Sequence, residues 1–143
     1  MKFVPYLPEH FLEIIPTVDG SRIPKCDFNV IAESHARYPA TSVLEDDGKP
    51  IACFGITPLW NGVAVVWGVF ESGIERYGMT LYRYSKSFLD SLMKDYSRVQ
   101  CEVLATNSKA INFIETFGFE KEGLLRNYGP NKEDFFMYAR VTK

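Results

Sequence analysis

The sequence predicts a mixed α/β fold built around a central β-sheet. Residues 63–70, VAVVWGVF, are apolar at nearly every position, which is typical of a strand buried on both faces. The chain then enters a long segment, residues 78–96, whose apolar side chains repeat at helical spacing. A buried strand that leads into a helix of this length indicates a crossover connection packed on the sheet.

The N-terminal part of the chain predicts one strand and two helices. Residues 2–7 are typical of a short strand, and the next segment predicts a short helix with Pro8 in its first turn. Residues 26–38 predict a second helix that is capped by Asp27 and ends before Pro39.

The middle of the chain predicts a hairpin, a strand, a helix and another strand. Residues 46–48, Asp-Asp-Gly, separate two β-rich runs, which is a strong hairpin signal. The long helix after the buried strand places Leu81, Ser85, Phe88 and Leu92 along one helical stripe, with apolar residues beside it. The strand that follows alternates between two faces: one holds Val99, Cys101, Val103 and Ala105, and the other holds Gln100, Glu102 and Leu104.

The C-terminal part predicts a short helix and two strands. Asn107 is expected to cap a helix in which apolar residues repeat at helical spacing, and Gly118 suits the left-handed residue that ends a helix. Residues 123–128 and 134–141 predict the last two strands. The predicted order of elements along the chain is β-α-α-β-β-β-α-β-α-β-β. A sheet of this kind can bind a ligand where its strands diverge at their C-terminal ends.

Length and charge limit the classes of function. The 143 residues are expected to form one domain, residues 1–143, with an ordinary soluble composition of 46% hydrophobic and 24% charged residues. Sixteen basic and 18 acidic side chains give a net charge of -2, which provides no long-range attraction to nucleic acid or to an anionic membrane. No signal peptide or membrane span is recognised, so a cytoplasmic location is expected.

The cysteines give no framework for a metal or for disulfides. Cys26, Cys53 and Cys101 are odd in number and widely spaced, and the chain contains only two histidines, His10 and His35. Reduced, buried thiols and no metal are therefore expected.

One junction has the features of an anion site. A glycine-containing turn that enters a helix presents free backbone N–H groups and the positive end of the helix dipole. Here Gly78 permits a close approach, Thr80 adds a hydroxyl group and Arg76 adds a positive charge. An ordinary strand-to-helix turn explains the same residues, and spacing alone favours that interpretation.

The segment EVLATNSKAINFIETFGF, residues 102–119, resembles the second conserved block of the GNAT superfamily of acyl-CoA-dependent N-acetyltransferases. In that block a strand leads to Asn-x-x-Ala, a short helix and Gly-Phe, and the matching residues here are Asn107, Ala110, Phe113, Gly118 and Phe119. The following residues, GFEKEGLLRNYG, and Asp134 resemble the branch that acetylates ribosomal-protein N-termini. The resemblance covers residues 41–141 well and the first forty in coarse layout.

This resemblance implies a GNAT fold, with a mixed central sheet of six to seven strands and helices on both faces. It also implies transfer of an acetyl group from acetyl-CoA to an amine by direct attack, without a metal. The buried strand would pair with the pantetheine arm, the turn after it would hold the pyrophosphate, and Asn107 would contact the arm from the other side. The cofactor-binding residues expected from the resemblance are Val69, Phe70, Arg76, Tyr77, Gly78, Met79, Thr80, Asn107, Ala110 and Phe113.

The same resemblance nominates catalytic residues. Glu102 occupies the Glu of a Glu-x-x-x-x-Asn pattern and is the candidate general base, although a solvated strand residue is an equally good interpretation. Glu71 is a second, weaker candidate. Ile114 stands where the family carries a proton-donating tyrosine. It is expected to be a helix residue packed on the sheet, so the acid is expected to be Tyr128 or water. Glu75 stands at the first position of the pyrophosphate loop, where a carboxylate repels phosphate.

Two alternatives stay open at the level of sequence. The first is an active enzyme whose acceptor is a peptide N-terminus or a small-molecule amine; His35, Arg37 and Tyr38 lie in the segment expected to line its acceptor pocket. The second is an eroded GNAT-fold protein, of a kind that also occurs among bacteriophage products, that serves as a binding or structural component. The aromatic end of the chain can supply a homodimer contact through Tyr128, Phe135, Phe136 and Tyr138.

Overall fold

A computed structural model describes residues 1–142. The strands are β1 Lys2–Pro5, β2 Ala40–Leu44, β3 Pro50–Trp60, β4 Val63–Phe70, β5 Arg98–Leu104, β6 Glu120–Leu125 and β7 Phe135–Val141. The α-helices are α1 Pro8–Ile14, α2 Asn29–His35, α3 Gly78–Asp95 and α4 Ser108–Thr116, and two short 3-10 helices are Ile15–Thr17 and Ile74–Tyr77. The predicted order of strands and α-helices is confirmed.

All seven strands form one mixed sheet in the order β1-β2-β3-β4-β5-β7-β6. Neighbouring strands are antiparallel except β4 and β5, which are parallel and joined by α3. The parallel ladder consists of three pairs and ends at Val65↔Gln100, although both strands continue beyond that point. The sheet is therefore unpaired between the C-terminal halves of its two middle strands.

Helices cover both faces of the sheet, as predicted. On one face, α1 and α2 pack on a cluster formed by Tyr6, Phe11, Ile14, Ala32, Cys53 and Val69. On the other face, α3 and α4 pack on a cluster formed by Leu89, Val99, Cys101, Val103, Phe117, Phe119 and Tyr138. Because successive strand residues point to opposite faces, β4 contributes Val69 to the first layer and Val66 to the second.

The predicted hairpin and helix ends form for the expected local reasons. Between β2 and β3, Gly48 adopts a φ of 91°, and its N–H donates to the Glu45 carbonyl at 2.8 Å. Asn107 caps α4 because its side-chain oxygen accepts a hydrogen bond from the Ala110 N–H at 3.1 Å. Gly118, with a φ of 85°, is the left-handed residue after that helix.

Several local predictions are wrong. β4 is half-buried at most positions rather than buried on both faces, and Gly68 is exposed. The reason is that β5 no longer pairs with β4 beyond Val65. Phe28, not Asp27, occupies the N-cap position of α2; the Asp27 carboxylate accepts from the Asn29 N–H at 3.0 Å without being the cap.

The C-terminal strands and aromatic residues also differ from expectation. β6 runs from Glu120 to Leu125 rather than over 123–128. Tyr138 is fully buried and Phe135 and Phe136 are half-buried, so of the four aromatic residues expected to offer a contact surface only Tyr128 is exposed. Homodimer formation stays a prediction.

The thiols and possible metal ligands can be placed in the described part of the chain. All three cysteines are free; Cys53 and Cys101 are buried, whereas Cys26 is half-exposed, contrary to expectation. Within residues 1–142, no three His, Cys, Asp or Glu side chains converge as a metal site, and no helix is long and apolar enough to cross a membrane.

Candidate active site

The gap between β4 and β5 opens into a cavity of about 740 Å³. Its walls come from both strands, from α3 and α4, and from the irregular segment 18–28 that connects α1 to α2. This volume lies within the range of small-molecule and cofactor pockets. The cavity is therefore a candidate site formed directly by the sheet topology.

The strand register places Trp67 and Glu102 on opposite sides of this gap. Val65 and Gln100 form the last pair of the parallel ladder, and Trp67 and Glu102 each lie two residues further along. Residues two apart share a face of the sheet, so both side chains point to the side covered by α1 and α2. Both residues line the cavity.

The two nominated catalytic residues contact each other. The Tyr128 hydroxyl donates a hydrogen bond to a Glu102 carboxylate oxygen at 3.2 Å, across 26 residues of sequence. Partial burial, together with the nearby Glu102 charge, raises the pKa of Tyr128. The phenol thus holds its proton at neutral pH, while 54% of its surface is exposed.

The cofactor-binding residues predicted from the β4 strand and the α4 helix line the cavity. Val69 and Phe70 line it from β4, and Asn107, Ala110 and Phe113 from α4 and its cap. These two groups meet at the Phe113 ring, which packs edge-on against Phe70 at a centroid distance of 6.0 Å. Their predicted contact with a cofactor stays a prediction.

Both polar atoms of the Asn107 amide are engaged within the protein. Its oxygen caps α4, and its nitrogen donates to the Arg22 carbonyl at 3.2 Å. The neighbouring Thr106 hydroxyl donates to the Ser21 carbonyl at 2.6 Å. The segment 18–28 is thereby tethered beside the C-terminal end of β5. The Asn107 side-chain nitrogen has a second N–H, which is the one that a ligand can use without displacing the Arg22 carbonyl.

The predicted pyrophosphate residues lie outside the lining of the cavity in the described chain. They are Arg76, Tyr77, Gly78, Met79 and Thr80, whereas the preceding Ile74 and Glu75 do line it. The Arg76 guanidinium forms ion pairs with Glu71 and with Glu45, at 2.8 Å for Glu45, and stacks over the Tyr77 ring at 4.7 Å. Its charge is therefore already compensated within the protein.

Glu71 is a structural residue rather than an exposed strand-end carboxylate. Only 4% of its surface is exposed, and it pairs with Arg76 and, at 3.5 Å, with Lys49. The pair with Arg76 fixes the turn between β4 and α3. Because a buried carboxylate requires compensating charge, these contacts explain Glu71 without a catalytic role.

Comparison with solved proteins decides which fold this is. No protein-family model matches the chain, and no curated protein matches its sequence. The ribosomal-protein-S18-alanine N-acetyltransferase from Escherichia coli has a similar structure, with a TM-score of 0.73 over 98% of this chain and 92% of that chain, at 18% identity. A GNAT-family acetyltransferase from Bacillus anthracis has a TM-score of 0.69 over 97% and 93%, at 12% identity. This chain has the GNAT fold.

A third similar structure also spans the whole GNAT fold. A mutant of the spermidine N-acetyltransferase from Vibrio cholerae matches with a TM-score of 0.69 over 99% of this chain and 95% of that chain, at 12% identity. At identities this low, the structural similarity establishes the shared fold only, so the chemistry has to be argued from the site. The predicted fold class is confirmed, with seven strands.

Sequence reasoning missed an ionic cluster in the cavity of this GNAT fold. Glu75 accepts a hydrogen bond from the Lys109 ammonium at 2.8 Å and lies 3.7 Å from the Arg22 guanidinium. The Lys109 hydrogen bond is the main cause that lowers the pKa of Glu75. We call these three residues the mouth cluster; their net charge is positive, so Glu75 does not make this part of the cavity repel anions.

Sequence reasoning also missed most of an aromatic wall. The His35 and Trp67 rings stack at a centroid distance of 3.6 Å, and Phe11 and Phe28 line the cavity beside them. Burial lowers the pKa of His35 to about 4, so the ring is neutral at neutral pH. Of the acceptor segment nominated from sequence, His35 lines the cavity, whereas Arg37 and Tyr38 do not within the described residues.

Ile114 has the structural role expected of it. It lines the cavity and packs against the cluster under α3 and α4. Its hydrocarbon side chain supplies no proton, so the candidate donor that the described chain offers near Glu102 is Tyr128.

Proposed function

We propose that this chain is a single-domain, cytoplasmic N-acetyltransferase, residues 1–143, that transfers an acetyl group from acetyl-CoA to an amine by direct attack. The observation that carries the proposal is the parallel ladder that ends at Val65↔Gln100 while both strands continue beside a cavity. Beyond that pair, the β4 backbone lacks a β5 partner. An extended chain of amide groups, such as a pantetheine arm, can pair with this strand edge.

The charges near the cavity suit the phosphates of acetyl-CoA. Arg22 and Lys109 share one carboxylate, Glu75. Three residues later α3 begins at Gly78 without a side-chain cap; the Gly78 N–H itself donates to the Glu75 carbonyl, so the next N–H groups of the first turn are the proposed donors. Arginine and lysine side chains and free helix N–H groups all bind phosphate oxygens. The charge of Arg76 is compensated by Glu71 and Glu45. We therefore propose that the phosphates contact the mouth cluster and the start of α3 rather than Arg76.

Acetyl-CoA, when bound, supplies an acetyl thioester. Glu102 lines the cavity at the gap, which supports the proposal that it accepts a proton from an amine, directly or through water. Tyr128 retains its proton and donates to Glu102. A proton taken up by Glu102 therefore has a hydrogen-bonded route to the phenol, which is the proposed donor.

A second candidate function is a GNAT-fold binding or structural component without catalysis. Ile114 at the position of the family's acid and the internal compensation of Arg76 favour this alternative. Both candidates share the cavity, so a test has to separate binding of the cofactor from its turnover.

The experiment is a thiol-release assay with acetyl-CoA and a panel of primary amines. We expect turnover in the wild type and a fall of roughly 10²–10⁴-fold in kcat for Glu102→Gln, which keeps the shape of the side chain and removes the base. Glu120→Gln is the matched control, since Glu120 lies exposed at the start of β6. No turnover with any amine, despite acetyl-CoA binding, would support the non-catalytic alternative; an unchanged rate in Glu102→Gln removes Glu102 as the base.

A further inference from the structure

The acceptor side of the cavity combines one carboxylate with an aromatic wall. We call this region the acceptor chamber and define it by Phe11, Phe28, His35, Trp67, Glu102 and Phe135, all of which line the cavity. Trp67 and Glu102 share the sheet face covered by α1 and α2, on either side of the gap. We propose that the acceptor is a small aromatic monoamine, whose amine group meets Glu102 while its ring packs on the chamber wall. This inference rests on the proposed acetyltransferase function.

The charges of the cavity favour one positive charge on the acceptor. The charged residues that line the cavity are Arg22, Glu75, Lys109 and Glu102. Glu75 is occupied by the two cations, whereas Glu102 forms no ion pair with the described residues and accepts a hydrogen bond from Tyr128. One carboxylate compensates one ammonium. A polyamine would bring further positive charges for which the described lining has no second unpaired carboxylate, and Arg22 and Lys109 would repel those charges.

The wall is aromatic and held in place before a ligand arrives. The His35 and Trp67 rings are nearly parallel, at 9°, and the Tyr6 and Phe11 rings meet Trp67 edge-on at 5.6 and 6.1 Å. Because these contacts among the wall residues are already formed, the side chains of the wall need little further ordering when an aromatic ligand binds. A neutral His35 adds no charge that would repel an ammonium.

Burial of the Trp67 indole N–H has a free-energy cost that packing alone does not explain. Its indole N–H is buried and has no hydrogen-bond partner among the described residues. A phenylalanine would fill much of the same space without leaving a buried donor unsatisfied. The large indole surface is what Trp67 adds to the chamber, and an aromatic ligand is the partner that uses it.

Trp67 fluorescence provides a test that does not require turnover. The chain has two tryptophans, and the other, Trp60, is 68% exposed at the end of β3. In Trp60→Phe, emission reports Trp67 alone. We expect 2-phenylethylamine to change this emission saturably, and spermidine and an alanine-starting peptide to require at least about tenfold higher concentrations.

Kinetics with the same three amines complete the test. We expect 2-phenylethylamine to have the highest kcat/KM, and Trp67→Phe to raise its KM several-fold with a smaller change in kcat. Trp60→Phe is the matched control and should leave both constants unchanged. If acetyl-CoA is consumed with spermidine or the peptide in preference, and 2-phenylethylamine leaves Trp67 emission unchanged, the inference is overturned while the proposed function stands. If acetyl-CoA does not bind, the proposed function fails, and the emission titration still decides whether the chamber takes aromatic amines.

Discussion

Protonation of His35 should make the stability of this protein depend on pH between about pH 4 and pH 6.5. The ring lies between α2 and the sheet, stacked on Trp67 at 3.6 Å. Burial lowers its pKa from the ordinary 6.5 to about 4. Between these two values the unfolded chain binds a proton at His35 and the folded chain does not, so stability falls as the pH falls through this window.

The size of the effect follows from the two pKa values. By linkage, a change from 6.5 to about 4 corresponds to a loss of about 2 kcal/mol of unfolding free energy between about pH 7.5 and about pH 5. This figure is an upper bound because the ring is only partly buried and keeps some hydration. The carboxylates whose pKa values are lowered, such as Asp90 and Glu122, lose their contributions at more acidic pH.

Urea denaturation of the wild type and of His35→Phe at both pH values measures this loss. Phenylalanine keeps a ring on Trp67 and removes the titrating group, while His10 stays in both proteins and cancels in the comparison. We expect the wild type to lose about 1–2 kcal/mol more than the variant over this interval. Equal losses in the two proteins would show that His35 is not held neutral by burial, and would remove the basis for an uncharged acceptor wall.

Two further predictions concern packing and thiol chemistry. Gly55→Ala should destabilise the fold by about 1–3 kcal/mol in urea denaturation, because its new Cβ would lie 2.8 Å from Ala40 Cβ and 2.9 Å from the Pro39 carbonyl oxygen. Gly78→Ala is the control: Gly78 has open space around it, so the substitution should be neutral or slightly stabilising. A coloured thiol reagent at mildly alkaline pH should label one cysteine quickly, identified as Cys26 by peptide mapping. Burial raises the pKa of Cys53 to about 11 and that of Cys101 to about 12, so labelling of three thiols at one rate in the folded protein would contradict the described burial.

Elements with regular periodicity could be predicted because their signals are local. The hairpin at Gly48, the cap at Asn107 and the end at Gly118 depend on residues within four positions, and all three form as expected. The predicted burial of β4 was wrong for a non-local reason: whether a strand keeps its neighbour depends on where the parallel ladder ends, which the apolar run VAVVWGVF does not encode.

The site was harder to predict because its contacts join distant segments. Glu102 and Tyr128 were nominated separately, and only the fold brings them within 3.2 Å. Arg76 was expected to hold phosphate, but its partner Glu45 lies 31 residues earlier, at the hairpin turn. The irregular segment 18–28 has no periodicity, and hydrogen bonds such as that of Arg22 with Asn107, across 85 residues, set its position.

Calorimetric titration of acetyl-CoA tests the central claim most directly, because the claim is that the gap between β4 and β5 holds the cofactor. Gly68 lines this gap, and a Cβ there would lie 3.0 Å from the Phe70 ring; Gly123, on the edge strand β6, has open space around it. We predict one site per chain, affinity unchanged in Gly123→Val, and affinity at least about tenfold weaker in Gly68→Val, equivalent to about 1.4 kcal/mol. No binding at about millimolar acetyl-CoA, which corresponds to about 4 kcal/mol of binding free energy, or equal affinity in all three proteins, would contradict the account.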